Sequence, residues 1–229
     1  MKKGWMALCA AMLLMLCAGT ALADGQATIT RQLAQTYDYG DVFFTYYFAE
    51  VQNTGDAPIV LDGGKLELYN AEGGTIYSAQ VYNCYPSVLG PGEIGYVREY
   101  TNMDTPDAVA SYRFDLSASP ASTGSVSYLT CEPSFEQKTL YEDQTSTTIT
   151  ARLTNPQQET VRGIMTVYAL YDASGNILFV DTLSATYLGL PAGSTVELST
   201  VVDGEIEATW NAQGVAPASA KAIAYVILD

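Results

Sequence analysis

The chain contains no histidine. Because the Ser-His-Asp triad, the Cys-His nucleophile and His-ligated zinc all need an imidazole, these three kinds of site are excluded. Basic residues are also scarce, with 10 Lys and Arg against 25 Asp and Glu and a formal net charge of −15. A negative field of this size repels phosphate backbones and anionic lipid headgroups, so neither nucleic acid nor a membrane surface is expected as a partner.

Only the start of the chain carries a long apolar run, from Met6 to Leu16. Lys2 and Lys3 precede it, and Ala21-Leu22-Ala23 follows as a small-x-small cleavage site, which is the pattern of a signal peptide. An uncleaved membrane anchor is the alternative, but the run is short and ends in Ala, Gly and Thr. We therefore expect residues 1–23 to be removed and the mature chain, starting at Asp24, to be secreted or otherwise extracytoplasmic.

Cysteine is rare as well, and two of the four cysteines lie within the predicted signal peptide. Cys84 and Cys131 remain. In an exported chain such a pair favours a disulfide, and the alternative is two isolated buried thiols. Their separation of 47 positions is not a Cys-x-x-Cys spacing, so thiol-disulfide catalysis and thiolate metal sites are disfavoured.

A hairpin pattern occurs twice in the sequence. Residues 168–179 are a strand, a tight turn and a second strand, in which Asp172 suits the first position of a type I turn and Gly175 a left-handed position. Residues 66–74 repeat the pattern, and both Tyr69 to Tyr171 and Gly73 to Gly175 span 102 positions. The spacing predicts one β-module written twice.

Short β-branched and aromatic runs separated by turn residues fill both halves, with almost no helical periodicity. This predicts an all-β fold of two tandem antiparallel sandwiches. The predicted organisation is a signal peptide at 1–23, a first repeat at 24–117, a linker at 118–125 and a second repeat at 126–229. Residues 203–218 lack a counterpart, and the sequence leaves a long loop and a short helical turn open there.

An Asn-led turn after a strand, an aromatic-x-Leu-Tyr-Asp-x-x-Gly hairpin and a Leu-Pro-Gly-containing turn together resemble the FxLYD family. The better copy has Tyr168, Leu170, Tyr171 and Asp172 at the hairpin positions. The first copy is a looser match: Leu66, Leu68, Tyr69 and Asn70. The resemblance implies a bacterial extracellular domain with an immunoglobulin-like sandwich fold, and it brings no catalytic residues.

The aligned strands of the two copies are alike on one face and different on the other. Alternation predicts a core face in both copies. Its residues are Tyr47, Ala49 and Val51 in the first and Ile149, Ala151 and Leu153 in the second. The opposite face is aromatic in the first copy and hydroxylic in the second: Phe44, Tyr46 and Phe48 against Ser146, Thr148 and Thr150.

Three aromatic side chains on an outer face need an explanation. They predict a binding platform for a glycan ring or a partner surface, at Phe44, Tyr46 and Phe48. The alternative is that the 27–37 segment or the second repeat packs over them.

These observations favour an exported, non-enzymatic binding protein of the bacterial envelope or extracellular space, whose partner is a protein or an envelope glycan. A carbohydrate-binding module and a structural spacer are alternatives, and a His-independent hydrolase is a less favoured one. No catalytic residue, cofactor or metal site is predicted, because the acidic residues form no EF-hand pattern and no phosphate-binding loop precedes a helix.

Overall fold

A computed structural model describes residues 25–103, 109–121, 126–141 and 144–228. The predicted signal peptide lies outside the described residues. The elements, in chain order, are β1 (Ala27–Asp38), β2 (Phe43–Asn53), β3 (Ile59–Tyr69), β4 (Thr75–Val81), β5 (Cys84–Tyr85), β6 (Val88–Leu89), β7 (Ile94–Met103), β8 (Ser111–Pro120), β9 (Val126–Tyr128), β10 (Thr130–Tyr141), β11 (Gln144–Thr154), β12 (Ile164–Tyr171), β13 (Ile177–Ala185), β14 (Thr195–Val201), α1 (Gly204–Gln213) and β15 (Ser219–Ile227).

The first sandwich consists of two antiparallel sheets. One has the strand order β1-β2-β7-β5, and the other has the order β4-β3-β6 with β8 also paired to β3. The inward residues of β2 contribute to the core between these sheets, as the alternation predicts. That core includes Tyr47, Ala49, Val51, Leu66, Leu68, Leu89, Val97 and Phe114.

The second sandwich also has two antiparallel sheets, with strand orders β10-β11-β14 and β13-β12-β15-β9. Ile149, Ala151 and Leu153 of β11 are fully buried in its core. Their outward neighbours on the same strand, including Thr148 and Thr150, stay partly exposed. The outer face of this sheet is therefore an ordinary solvated one.

The predicted all-β sandwich architecture is confirmed, with two refinements. β8 pairs with β3 as far as Pro120, so the strand continues three residues into the segment predicted as a linker. Within the 203–218 segment, Gly204–Gln213 form a helix, α1, which is capped by Gly214 in the left-handed conformation with φ 66°. The apolar side of α1 buries Ile206 and Trp210 in the core of the second sandwich.

Two fully buried asparagines close equivalent turns, one at the end of β2 and one after β11. Each side-chain amide donates to two backbone carbonyls, and each amide oxygen accepts a backbone N–H from two residues later. The donated bonds are Asn53 to Ala57 (2.8 Å) and Leu89 (3.1 Å), and Asn155 to Glu159 (2.8 Å) and Leu190 (2.9 Å). The buried amides are thus satisfied in the same way in both sandwiches.

The β12–β13 hairpin has the predicted turn. The Asp172 carboxylate accepts hydrogen bonds from the backbone N–H groups of Ser174 and Asn176, each at 2.8 Å. Gly175 has φ 80° and Gly73 of the first hairpin has φ 79°, in the left-handed region that glycine favours. The turn brings Tyr171, the last residue of β12, to the boundary with the first sandwich.

Candidate functional site

The aromatic face predicted as a platform is largely covered. Phe48 is fully buried, Tyr46 is 9% exposed and Phe44 is partly exposed. Tyr46 and Phe48 belong to the hydrophobic cluster of the second sandwich, not to the core of their own. The prediction of an open three-residue platform is therefore wrong for these two residues, and the alternative that the second repeat packs over them is the one observed.

Strand β13 and helix α1 provide the cover. β13 lies against β1, β2 and β7, and α1 lies against β1. The Phe48 ring meets Phe179 of β13 edge-on at a centroid distance of 5.9 Å, and Phe179 in turn meets Trp210 of α1 at 6.4 Å. A continuous row of aromatic contacts thus runs from the first sandwich into the second.

A buried carboxylate lies on the same outward face of β2. Glu50 is 2% exposed and binds groups from both sandwiches. It forms an ion pair with Arg31 of β1 and another, at 2.7 Å, with Lys221 of β15. It also accepts hydrogen bonds from Thr30 at 2.7 Å and from the Tyr171 hydroxyl at 2.5 Å. We refer to these five residues as the Glu50 cluster.

The surroundings of Glu50 strongly favour its ionised form. Burial alone would raise the pKa of this carboxyl, but hydrogen bonds from Lys221, Tyr171 and Thr30 outweigh burial and lower the pKa to about 2. The pKa of Tyr171 moves upward, because burial, the neighbouring Tyr96 and Glu50 all oppose a phenolate. At neutral pH the carboxylate is therefore charged and the tyrosine is a donor.

Two further contacts extend the Glu50 cluster. The hydroxyls of Tyr171 and Tyr96, from opposite sandwiches, lie 2.9 Å apart, and Arg31 donates to the backbone carbonyl of Gly175 at 2.6 Å. Arg31 and Lys221 also lie over the Tyr171 ring, at 5.5 and 4.9 Å from its centroid. The Tyr of the Leu-Tyr-Asp motif is thus a central contact between the sandwiches.

A third basic residue joins the sandwiches. Arg98 of β7 donates to the backbone carbonyl of Val180 at 3.2 Å and lies 3.5 Å from the Asp181 carboxylate. Its guanidinium lies 5.6 Å from the centroid of the Tyr46 ring and 5.8 Å from that of Tyr100. Here too a positively charged side chain lies close to both a carboxylate and tyrosine rings.

Three aromatic residues remain at the rim of this interface. Tyr39 and Phe44 are partly exposed, and Tyr100 is 52% exposed. The Tyr39 and Phe44 rings meet edge-on at 5.4 Å, and Phe44 and Tyr100 lie 6.1 Å apart. The Tyr39 hydroxyl donates to Asp203, before α1, at 3.0 Å.

An open cleft of about 740 Å³ adjoins this rim. The turn between β1 and β2 forms one wall, with Asp38 and Tyr39, and the exposed side of α1 forms the other, with Glu205, Thr209 and Gln213. We refer to it as the α1 cleft. It exists only because the two sandwiches are docked, since each contributes one wall.

Cys84 and Cys131 are free thiols, so of the two alternatives left open by the sequence, a disulfide and two isolated thiols, the structure has the isolated thiols. Cys84 is buried and Cys131 partly buried. Burial raises the pKa of each thiol to about 11. Neither is therefore poised for thiolate chemistry at neutral pH.

The second buried carboxylate, Glu207 of α1, has a structural role. It accepts hydrogen bonds from the Thr145 hydroxyl, at 3.0 Å, and from the backbone N–H of Thr147. These bonds fix α1 to β11. In the part of the chain that the structure describes, no group of three His, Cys, Asp or Glu side chains is arranged to hold a metal ion, and no helix is long and apolar enough to cross a membrane.

Sequence reasoning missed Glu50 and its partners. One signal was present, because Glu50 follows Phe44, Tyr46 and Phe48 in the same outward alternation. A carboxylate on a face that must be covered needs a positively charged partner. The partner, Lys221, lies 171 positions away, and nothing in the local sequence identifies it.

Comparisons with known proteins add little. No family model matches the chain, and no curated protein matches it. One solved structure that is similar to it is a calcium-binding mutant of beta-glucuronidase 2 from Bacteroides uniformis, with a TM-score of 0.26 and 12% sequence identity. The match covers 79% of this chain but 28% of that one, and a similarity this distant carries no argument about function.

Proposed function

We propose that this protein is an exported, non-enzymatic binding protein of the bacterial envelope or extracellular space, built from two FxLYD-like β-modules that act as one unit. The Glu50 cluster is the observation that carries the proposal. Side chains that would attract attention as catalytic groups, namely a buried carboxylate, two bases and two tyrosines, are bonded to one another across the two sandwiches. We infer that the role of these side chains is to hold the two sandwiches together.

The proposal of a duplicated module has support from local geometry. Asn53 and Asn155 make the same three side-chain hydrogen bonds at the ends of equivalent strands. The hairpin glycines, Gly73 and Gly175, have the same left-handed conformation. If one module has been duplicated, its two copies are expected to share such hydrogen bonds and backbone conformations.

Docking also decides which surfaces are open to a partner. Tyr46 and Phe48 are committed to the contact between the sandwiches, so a ligand must bind elsewhere. Rim residues Tyr39, Phe44 and Tyr100 remain accessible. This placement supports binding at the rim rather than on the β2 face.

A structural spacer is the second candidate, and the same interface favours it. A connection made of ion pairs, hydrogen bonds and ring contacts holds two sandwiches in one orientation, as a stiff spacer requires. The hydroxylic outer face of β11, which is solvated, suits a spacer as well.

The test is a pull-down with the mature chain, from Asp24 onward, on an envelope-protein extract and on purified cell-wall glycan in parallel. Saturable capture of a partner supports binding, and turnover of a polysaccharide or peptide panel by the same preparation would contradict the non-enzymatic assignment. Retention of nothing, with a native melting curve, would leave the spacer as the better description. A Tyr187→Ser variant serves as a matched control, because Tyr187 is 94% exposed and takes part in none of the interface contacts described above.

A further inference from the structure

The α1 cleft has the features of a site for a basic side chain. Its charged lining side chains, Asp38 and Glu205, are both acidic and exposed, and the Asp203 carboxylate lies beside it, bonded to Tyr39. Within the described ranges, no Lys or Arg lines the cleft. One tyrosine and two carboxylates thus line one open space that no Lys or Arg of the described residues lines.

The interface shows twice how this chain fills such a position. Lys221 and Arg31 bind Glu50 while lying over the Tyr171 ring. Arg98 pairs with Asp181 while lying over the rings of Tyr46 and Tyr100. In both places a Lys or Arg side chain lies between a carboxylate and a tyrosine, where ion pairing and cation–π attraction reinforce each other.

The contact between Tyr128 and Glu93 is one in which the carboxylate has no Lys or Arg partner among the residues described, and its hydrogen bonds show why none is needed. Tyr128 donates to Glu93 at 2.8 Å, but Glu93 also accepts the backbone N–H of Gly90 at 2.7 Å. Among the described residues the Glu205 carboxylate has no hydrogen-bond or ion-pair partner, although its backbone carbonyl accepts a bond from Thr209, and the Asp38 carboxylate has one partner, the N–H of Gly40. The carboxylates of the α1 cleft therefore keep acceptor capacity that the chain itself does not fill.

We propose that the α1 cleft binds a Lys- or Arg-bearing polypeptide segment of a partner protein, with one basic side chain between Tyr39 and the carboxylates of Asp38 and Glu205. This inference rests on the proposed binding function and names the chemistry of the partner. A basic segment also suits the net charge of −15, which speeds the approach of a cationic partner without selecting the site.

The test uses end-capped hexalysine and hexaarginine peptides as probes, titrated into the mature chain at low salt with NMR detection of backbone amides. Shifts should concentrate on the 38–40 turn and on α1. The double variant Asp38→Asn with Glu205→Gln should bind about fivefold more weakly, which is the expected effect of losing two exposed ion pairs. Added salt should weaken wild-type binding.

A charge-matched control separates the cleft from diffuse attraction. The double variant Asp56→Asn with Glu72→Gln removes the same charge from exposed turns away from the cleft. Equal weakening in both variants would overturn the proposal, and so would the absence of binding by either peptide. Binding of a neutral chitohexaose at Tyr39 in place of the peptides would reassign the cleft to glycans.

The pull-down distinguishes the failure of this inference from that of the binding function. If the Asp38/Glu205 variant still captures the same partner as wild type, the α1 cleft is not the site and the binding function stands. If wild type captures nothing from extract or glycan, the binding function itself fails.

Discussion

The Tyr171 hydroxyl of the second sandwich donates a 2.5 Å hydrogen bond to the Glu50 carboxylate of the first. The two residues are 121 positions apart, and the bond lies where both sandwiches exclude water. Lys221 and Arg31 neutralise the carboxylate from either side. One acidic side chain thus links β1, β12 and β15, and its removal tests how the sandwiches are held together.

Glu50→Gln should destabilise the docked chain by about 3 kcal/mol, which is at the lower end of the range for breaking a buried ion pair. The loss is not larger because Arg31 and Lys221 are 38% and 44% exposed and regain water. Urea unfolding measures the change, and small-angle X-ray scattering shows whether the sandwiches separate. Glu136→Gln, in an exposed ion pair with Lys138, is the control and should change stability by less than about 0.5 kcal/mol.

Acid should remove the same contribution. Because the pKa of Glu50 falls from 4.5 to about 2 on folding, its stabilisation is complete above pH 4.5 and is lost as the pH falls toward 2. The size of the shift corresponds to about 3 kcal/mol. Denaturation of wild type and Glu50→Gln across this range isolates it, since other carboxylates titrate in both. A stability difference that stays constant from pH 5 to pH 2.5 would contradict the assignment.

The two thiols offer a direct chemical check. With Cys84 and Cys131 free, denatured mature protein prepared without reductant should react with about two equivalents of a thiol reagent, and the native protein should react slowly, because burial raises each thiol pKa to about 11. Zero equivalents after denaturation would show the disulfide instead. Single Cys→Ser variants identify which thiol accounts for each equivalent.

Asn53→Ala and Asn155→Ala should each cost about 2–3 kcal/mol, because each removes three hydrogen bonds of a fully buried side chain, one of which is itself buried. Similar losses at the two positions would support the proposed duplication. Asn102→Ala, at an exposed position of β7, is the control, and thermal melts compare the three. A large loss at one asparagine only would mean that the turns are not equivalent.

Local patterns predicted local structure well. Alternation in β2 assigned Tyr47, Ala49 and Val51 to the core, and turn chemistry assigned Asp172 and Gly175, because both depend on near neighbours in the chain. The sequence leaves a long loop and a short helical turn open for residues 203–218, because the apolar residues of α1 become buried only against strands, such as β11 and β1, that are distant in the chain.

The site was harder to predict for a physical reason. The sequence shows that Phe44, Tyr46 and Phe48 need to be covered, but a face covered by a ligand and a face covered by the second sandwich have the same sequence pattern. Burial of Glu50 beside them distinguishes the two, because a charge in that position needs bases fixed within the same molecule. The α1 cleft has no local sequence pattern, because its two walls come from segments more than 160 positions apart in the chain.

Replacement of Phe44, Tyr46 and Phe48 by Ser, Thr and Thr, the side chains of the second copy, should separate the sandwiches without unfolding the first. The core of the first sandwich is on the other face of β2, whereas the replaced rings pack on β13 and its neighbours. Phe179 would lose its contact with Phe48, and Trp210, which packs on Phe179, would gain water and shift its emission to the red.

Scattering of the triple variant should show a larger radius of gyration, and heating should resolve two transitions in place of one. Tyr187→Ser is the control, and it should leave the radius, the emission and the melting unchanged because that ring is 94% exposed. Collapse of all β-structure in the triple variant would instead mean that the first sandwich needs the second in order to fold. An unchanged radius with native emission would mean that the polar contacts around Glu50 and Arg98 hold the sandwiches together without the rings.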